Sequence, residues 1–403
     1  MALMPVADAL AQILADAAPL EAEREPLDAA HGRVLASPVI AGRSTPAADV
    51  SAMDGYAVRA VDAGVGAVLN LAGESAAGRP WPHAVQPGQA VRIFTGAVLP
   101  AGADAIVIQE DTTRAGDRVT VLEAAQPGRH IRRAGGDFAA GSVVLPAGRR
   151  LSARDLALAA AADRAEVEVI RRPVVGLVST GDELVRPGTG ANAHQVILSN
   201  IYSVGALARE AGAEVRDLGT LPDDDAATRQ ALRAALDAEV DILVTTGGAS
   251  VGDHDLVAPS LTALGVDLAV HKVALRPGKP LMFGRHGASR ILGLPGNPVS
   301  AHVCALLFLV PLIRRLAGHA AAPCLPLAPG RLAAGVKAND QRMDFMRAEI
   351  LGEKDGIALV RPLPVQDSSM LSVLARADCL LVRAPFASAG MEGDRCDIIR
   401  LED

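Results

Sequence analysis

Apolar and polar positions follow three successive patterns along this chain, and each predicts a different kind of layer. Near the start, Val6, Leu10, Ile13, Leu14 and Ala17 share one face of a helical repeat, with Asp8 and Asp16 off that face. The spacing predicts an amphipathic helix, followed by an irregular or extended stretch over 25–41. From about residue 43 to 148 glycines and prolines punctuate short β-like runs at 90–94, 105–109 and 118–122. No helical period is sustained there, which predicts a small all-β domain. Ser152 with Asp155 three residues later resembles a capping box opening an alanine-rich helix to about residue 162, and 167–170 reads as a strand. This helix and strand are expected to rejoin the N-terminal segment, making the β domain an insertion.

The pattern then changes to alternating β and α. Strands are expected at 174–178, 215–218, 242–244, 266–273 and 291–294, and helices at 199–211, 226–238 and 299–317. Asn297 is placed as the cap of the last helix, Pro298 at its first position and Gly318 at its end. This is the signature of an α/β layer fold with a mostly parallel sheet. Beyond a proline-rich linker at 323–329, short strands at 343–350, 357–361, 379–383 and 397–401 predict a compact C-terminal β domain. The expected architecture is α/β multidomain. Residues 1–42 with 149–171 form an N-terminal or linker domain, 43–148 the inserted β domain, 172–318 the α/β domain and 324–403 the C-terminal domain.

Composition narrows the function classes. A chain of 403 residues exceeds one ordinary core, so two to four domains are expected. Half the residues are apolar but only nine are aromatic, so the cores must be aliphatic. The net charge of −7 disfavours nucleic acid or an anionic membrane as the main partner. Cys304, Cys324, Cys379 and Cys396 form no Cys-x-x-Cys pair, which suits a reducing cytosol. No histidine pattern suggests a metal site. The longest apolar run, 303–313, is short for a membrane span and contains Pro311. The expectation is a soluble cytoplasmic protein.

Candidate chemistry follows three of the predicted strands. Residues 179–183, 222–225 and 246–255 are acidic or glycine-rich loops, and parallel strands would carry all three to one sheet edge. In open sheets ligands bind outside the carboxyl ends of the strands. Repelling carboxylates gathered there need a cation, magnesium with a phosphate being the natural one. Glu183 is read as functional rather than as part of a polar turn. One of Asp223 and Asp224 is expected to face the site, with Asp225 free to cap the helix starting at Ala226. Gly247, Gly248 and Gly252 flank Ser250 and let backbone amides approach an anion, while Asp253 and Asp255 offer carboxylates to a metal or water. From His271 to Arg290 there is no acidic residue, which points to an anionic ligand for Lys272, Arg276 and Lys279. Arg285 and Arg290 read as a solvated basic face. Pro295, Gly296 and Asn297, between strand and helix, offer an anion cradle or simply a well-made turn. In the inserted domain Asp54, Thr95 and Asp137 each sit in what chemistry alone would call a structural turn.

Taken together these motifs resemble the molybdopterin molybdenumtransferases, the bacterial MoeA family and the gephyrin E domain. Residues 51–56, 95–97, 179–183, 247–255, 277–280 and 293–300 stand in the family's order, so the resemblance covers nearly the whole chain. It implies an elongated homodimer of four-domain subunits, with the site between the α/β domain of one and the C-terminal domain of the other. It also implies a reaction in which adenylylated molybdopterin and molybdate give molybdenum cofactor and AMP, with magnesium. A molybdopterin adenylyltransferase would be the upstream partner. On this reading Glu183, Asp223 or Asp224, Asp253 and Asp255 hold the metal and activate the attacking oxygen. Lys272, Arg276 and Lys279 hold molybdate and phosphates. Asp54, Thr95 and Asp137 become site residues, and Arg347 and Ser368 reach the partner's site. Arg276, Thr246 and Asp367 depart from the family's common lysine, serine and glycine. Two other classes share parts of the pattern. A nucleotide-pyrophosphate hydrolase of the same α/β domain would lack the 51–56 module and the C-terminal domain. A non-catalytic scaffold would need no acidic set.

Overall fold

The computed structural model describes residues 3–248, 256–319 and 327–401. By contact density the chain falls into two compact units, one of residues 1–23, 32–34 and 170–403, the other of residues 24–31 and 35–169.

The first unit is built on a six-stranded sheet. Its elements are α1 (Val6–Leu14), then β1 (Val174–Thr180), β2 (Leu184–Val185), β3 (Val196–Ile197), α2 (Asn200–Glu210), β4 (Glu214–Leu221), α3 (Asp225–Leu236), β5 (Ile242–Thr246), α4 (Val257–Ala263), β6 (Asp267–Lys272), β7 (Pro280–His286), β8 (Ser289–Leu294) and α5 (Pro298–Leu316). The strand order is β4-β1-β5-β8-β7-β6. The first four strands are mutually parallel, and β7 and β6 continue the sheet antiparallel. β5 is buried at every position, as a strand covered on both faces should be. One face packs α1, α2 and α5 through Ile13, Val204, Phe308 and Leu312. The other packs α3 and α4 through Leu232, Leu236 and Leu261.

Strand β7 runs through the basic stretch 271–290, where the sequence predicts no strand beyond residue 273. Leu281, Met282 and Phe283 are buried, and only Arg285 near the strand's end is polar enough to have masked the pattern. Neither Arg285 nor Arg290 belongs to a solvated face. Arg285 donates to the Ala15 carbonyl and Asp16, and Arg290 to the Asp16 carbonyl, so both hold the end of α1. Helix α5 contains a π-helical stretch at Ala305–Leu309. It is long and apolar enough to cross a membrane, yet 83% of its most apolar window is buried inside the protein.

The C-terminal strands are β9 (Ala328–Leu332), β10 (Met343–Lys354), β11 (Ile357–Pro362), β12 (Cys379–Arg383) and β13 (Arg395–Arg400). Each pairs with two neighbours in the order β10-β11-β9-β13-β12-β10, so the sheet closes into a barrel. A short strand at Leu275–Arg276 joins β10 in parallel and ties the barrel to the turn before β7.

The second unit holds a six-stranded sheet in the order Ala105–Ile108, Gly55–Val58, Gln89–Ile93, Val68–Ser75, Arg118–Val121 and Thr112–Ala115. Around it, Leu35 and Val39 pack with Leu145, Leu151, Ala159 and Val169 in one core. The helix Ala153–Ala161 begins as its sequence predicts: the Asp155 carboxylate accepts from the Ser152 amide (2.8 Å) and hydroxyl (2.7 Å), and also pairs with Arg149.

Candidate active site

The carboxyl ends of β1, β5 and β8 lie side by side and open into a cavity of about 850 Å³, within the range of small-molecule sites. Buried hydroxyls of Ser179 and Thr246 meet at 3.1 Å and pin two of the strand ends together. A Cβ on Gly247 would lie 2.5 Å from the Thr180 hydroxyl, so only glycine allows these two loops to approach so closely. Asn200, the first residue of α2, donates to the Gly296 carbonyl at 2.8 Å and holds the third loop. Thr180, Glu183, Gly247, Lys279, Pro295, Gly296 and Asn297 all line the resulting cavity. Gly248 follows Gly247 with the same left-handed backbone.

The acidic loops separate into roles that spacing did not reveal. Asp182 and Asp223 are locked to each other, each amide donating to the other's carboxylate at 3.2 Å. Asp224, not Asp225, caps α3, accepting from the Ala227 amide at 2.9 Å. Asp225 is already helical and pairs with Arg229 one turn on. The carboxylate of Asp224 is therefore engaged in starting a helix, which leaves Asp223 as the member of the pair turned toward the Glu183 loop. Ser250, Asp253 and Asp255 lie outside the described residues. Among the described residues no three acidic, histidine or cysteine side chains gather as a metal ligand set.

The cations also part company. Lys279 is exposed on the cavity wall, and among the described residues no carboxylate pairs with it. Arg276 lines the cavity as well, but its guanidinium donates to Asp344 (2.6 Å) and Asn339 (3.0 Å) and lies 3.4 Å from Asp340. The Asp344 hydrogen bond raises its pKa, fixing it as a cation already matched by an anion. Lys272, at the end of β6 and opposite Pro280, is not on the cavity wall. The expectation that all three grip an anion together thus reduces to Lys279, with Arg276 tethered.

At the start of α5 the cap also differs from expectation. Asn297 makes no side-chain cap; its amide instead donates to the Ser368 hydroxyl at 3.0 Å. Pro298 has no N–H, and the Val299 amide goes to the Ser368 carbonyl at 3.1 Å. Part of the anion cradle expected of this helix end is therefore occupied by the chain itself. The resemblance put Ser368 and Arg347 at a partner's site; within their own chain Gln366, Ser368 and Ser369 line the cavity. Arg347 does not reach it. It is 1% exposed within β10, its backbone exchanges hydrogen bonds with Gln366, and its guanidinium reaches the Asp367 carbonyl. Burial lowers its pKa, though Asp344 and Asp367 oppose that. Asp367 turns its carboxylate onto the hydroxyl and amide of Ser369 rather than into the cavity; the Ser369 hydroxyl holds its pKa down. Sequence reasoning assigned no role to Arg342, Gln366 and Asn200 on the cavity wall; Asn200 and Gln366 are placed by contacts 96 and 19 residues along the chain, while Arg342 is held locally by Asp340.

In the second unit Asp54 accepts from both the amide and hydroxyl of Thr95 at 2.8 Å, and the Thr95 amide is the main reason its pKa is lowered. Gly55 opens a strand rather than a hairpin turn and is buried, and a Cβ there would meet the Val107 carbonyl oxygen. Asp137 is exposed, and no contact among the described residues joins its side chain to Asp54 or Thr95.

Comparison with known proteins accounts for this arrangement. Residues 4–162 match the MoeA N-terminal region (domain I and II), 176–315 a probable molybdopterin binding domain, and 329–401 the MoeA C-terminal region (domain IV). A molybdopterin molybdenumtransferase of Haemophilus influenzae is 37% identical over 90% of both chains. Molybdopterin molybdenumtransferase 2 of Mycobacterium tuberculosis is 40% identical over 88% of this chain and 89% of its own. The crystal structure of a molybdopterin biosynthesis MoeA protein from Pyrococcus horikosii superposes with a TM-score of 0.87, covering 100% of both chains at 28% identity. Three consecutive family regions, in order and along almost the entire length, leave one assignment: the chain belongs to the MoeA family.

Proposed function

We propose that this chain inserts molybdate into adenylylated molybdopterin, releasing AMP and molybdenum cofactor, in the cavity at the ends of β1, β5 and β8. The observation that carries this reading is an exposed Lys279, unpaired among the described residues, on the wall of the same cavity as Glu183. An oxyanion needs such a cation, and a carboxylate beside it is suited to orient or deprotonate an attacking oxygen. Curated relatives named molybdopterin molybdenumtransferase support the same reaction.

Glu183 and Asp223, joined by Asp253 and Asp255, are the proposed carboxylates for magnesium. The described residues alone do not complete a metal cage. Magnesium is usually carried in by substrate phosphates and met by one or two carboxylates. Such an ion would neutralise charge on the phosphates. Lys279 holds molybdate, Gly247 and Gly248 present backbone to the phosphates, and Arg276 shapes the wall from its tether on Asp344. Asp54, Thr95 and Asp137 are proposed as further site residues from the resemblance of their segments. A homodimer, a cytoplasmic location and an upstream molybdopterin adenylyltransferase belong to the same proposal.

The test is incubation of the full chain with adenylylated molybdopterin, molybdate and magnesium, following AMP and active cofactor together. Both should appear in equal amounts. AMP without cofactor would favour the pyrophosphate hydrolase, and neither would sink the reading.

A further inference from the structure

We propose that the ribbon of β2 and β3 is the shelf on which a flat heteroaromatic ring of the substrate rests, an inference that builds on the function above. Val196 and Ile197 are 54% and 42% exposed, and both line the cavity together with Leu184 and Leu198. The rest of the wall is polar groups, glycines and prolines, and among the described residues no aromatic side chain lines it. Two β-branched aliphatic residues left open on a polar cavity gain from being covered by an apolar surface, at about 25 cal/mol per Å² removed from water. A flat ring fits against whichever of these branched side chains β3 turns toward it, whereas molybdate and phosphate do not.

The ribbon is joined to the reacting groups. The Val196 amide donates to the Glu183 carbonyl at 2.8 Å, and the Leu198 amide to the Val185 carbonyl at 2.9 Å. A ring seated on β3 is therefore held in register with the residue that carries the carboxylate. Adenylylated molybdopterin has two candidate rings, adenine and pterin, which share this chemistry.

The variant to make is Val196→Thr with Ile197→Thr in the full chain. Threonine keeps the branching that a strand favours, and changing both residues covers both faces of β3. Calorimetry would measure AMP, a free pterin and inorganic phosphate as separate probes. Affinity for at least one ring should fall about tenfold, the scale of a lost apolar contact in a pocket, with phosphate unchanged. Loss for AMP alone assigns adenine to the shelf, and loss for the pterin alone assigns the pterin. Val196→Ile with Ile197→Val should bind as the parent does. Unchanged affinity for both rings would overturn the proposal, as would an equal fall for phosphate, which would mean the ribbon acts only by holding Glu183. A parent chain that binds the rings but turns nothing over would sink the proposed reaction and leave the shelf standing.

Discussion

Replacing Gly278 with alanine should damage the protein in two separable ways. The residue before Lys279 has φ +113°, a backbone region that side chains rarely enter. Holding alanine there costs about 1–3 kcal/mol. Its Cβ would also collide with the Cys304 sulfur on α5 and lie 3.1 Å from Leu275 Cδ1, an overpacking of about 1–3 kcal/mol more. Cys304→Ala alone removes one buried atom, at about 1 kcal/mol. The double variant should relieve the collision but keep the backbone strain, giving a favourable coupling of about 1–3 kcal/mol. The single tryptophan, Trp81, lies in the other compact unit, so its fluorescence would not report this change. Hydrogen exchange of the α5 amides across the four proteins in the cycle does. The half-saturating molybdate concentration should rise in Gly278→Ala, because Lys279 moves with it. Costs that add within about 0.5 kcal/mol would refute the packing account.

Lys279→Ala should raise half-saturating molybdate at least about tenfold with thermal stability unchanged, since the side chain is exposed and has no ion-pair partner among the described residues. Arg276→Met should do the reverse, lowering stability by about 1 kcal/mol by leaving the mostly buried Asp344 alone while shifting molybdate dependence less; steady-state kinetics beside urea melts distinguish the two. Asp224→Ala should weaken α3 by about 1 kcal/mol in hydrogen exchange with turnover retained, whereas Asp223→Ala and Glu183→Gln should abolish AMP release in a folded protein. Burial alone would raise the Asp155 carboxyl, but hydrogen bonds from Arg149 and Ser152 outweigh it and bring its pKa from 3.8 to about 2. That depressed value contributes about 2 kcal/mol above pH 4, lost as pH falls through 2, so Asp155→Asn should flatten the acid limb of Trp81-monitored unfolding.

How far the chain could be read from its letters depended on whether a residue acts locally. β1 and β5 are short aliphatic runs ending at threonine and β8 is one ending just before Pro295 and Gly296, so their periodicity and their loops were legible together. β7 was not, because Pro280, Gly284 and Arg285 bracket its apolar centre and break up the run that would announce a strand. Spacing put Asp225 at the cap of α3, whereas the extended backbone of Asp224 and the Ala227 amide on its carboxylate make Asp224 the cap. A cation in a β-strand such as Arg347 reads as a ligand-binding group until its burial is known. The link from Asn297 to Ser368 joins residues 71 apart, and nothing in either segment announces it.

The barrel of β9 to β13 has a further consequence. A ring of paired strands has spent most of its backbone donors and acceptors inside itself, and the margin of β10 at Met343 and Asp344 is already taken by the strand Leu275–Arg276. Whatever recognises that part of the molecule must do so through side chains and loop tips, where single substitutions tune contact without disturbing the ladder beneath. The domain is thereby free to vary its exterior, while protected from the sticky misassembly that threatens open sheets.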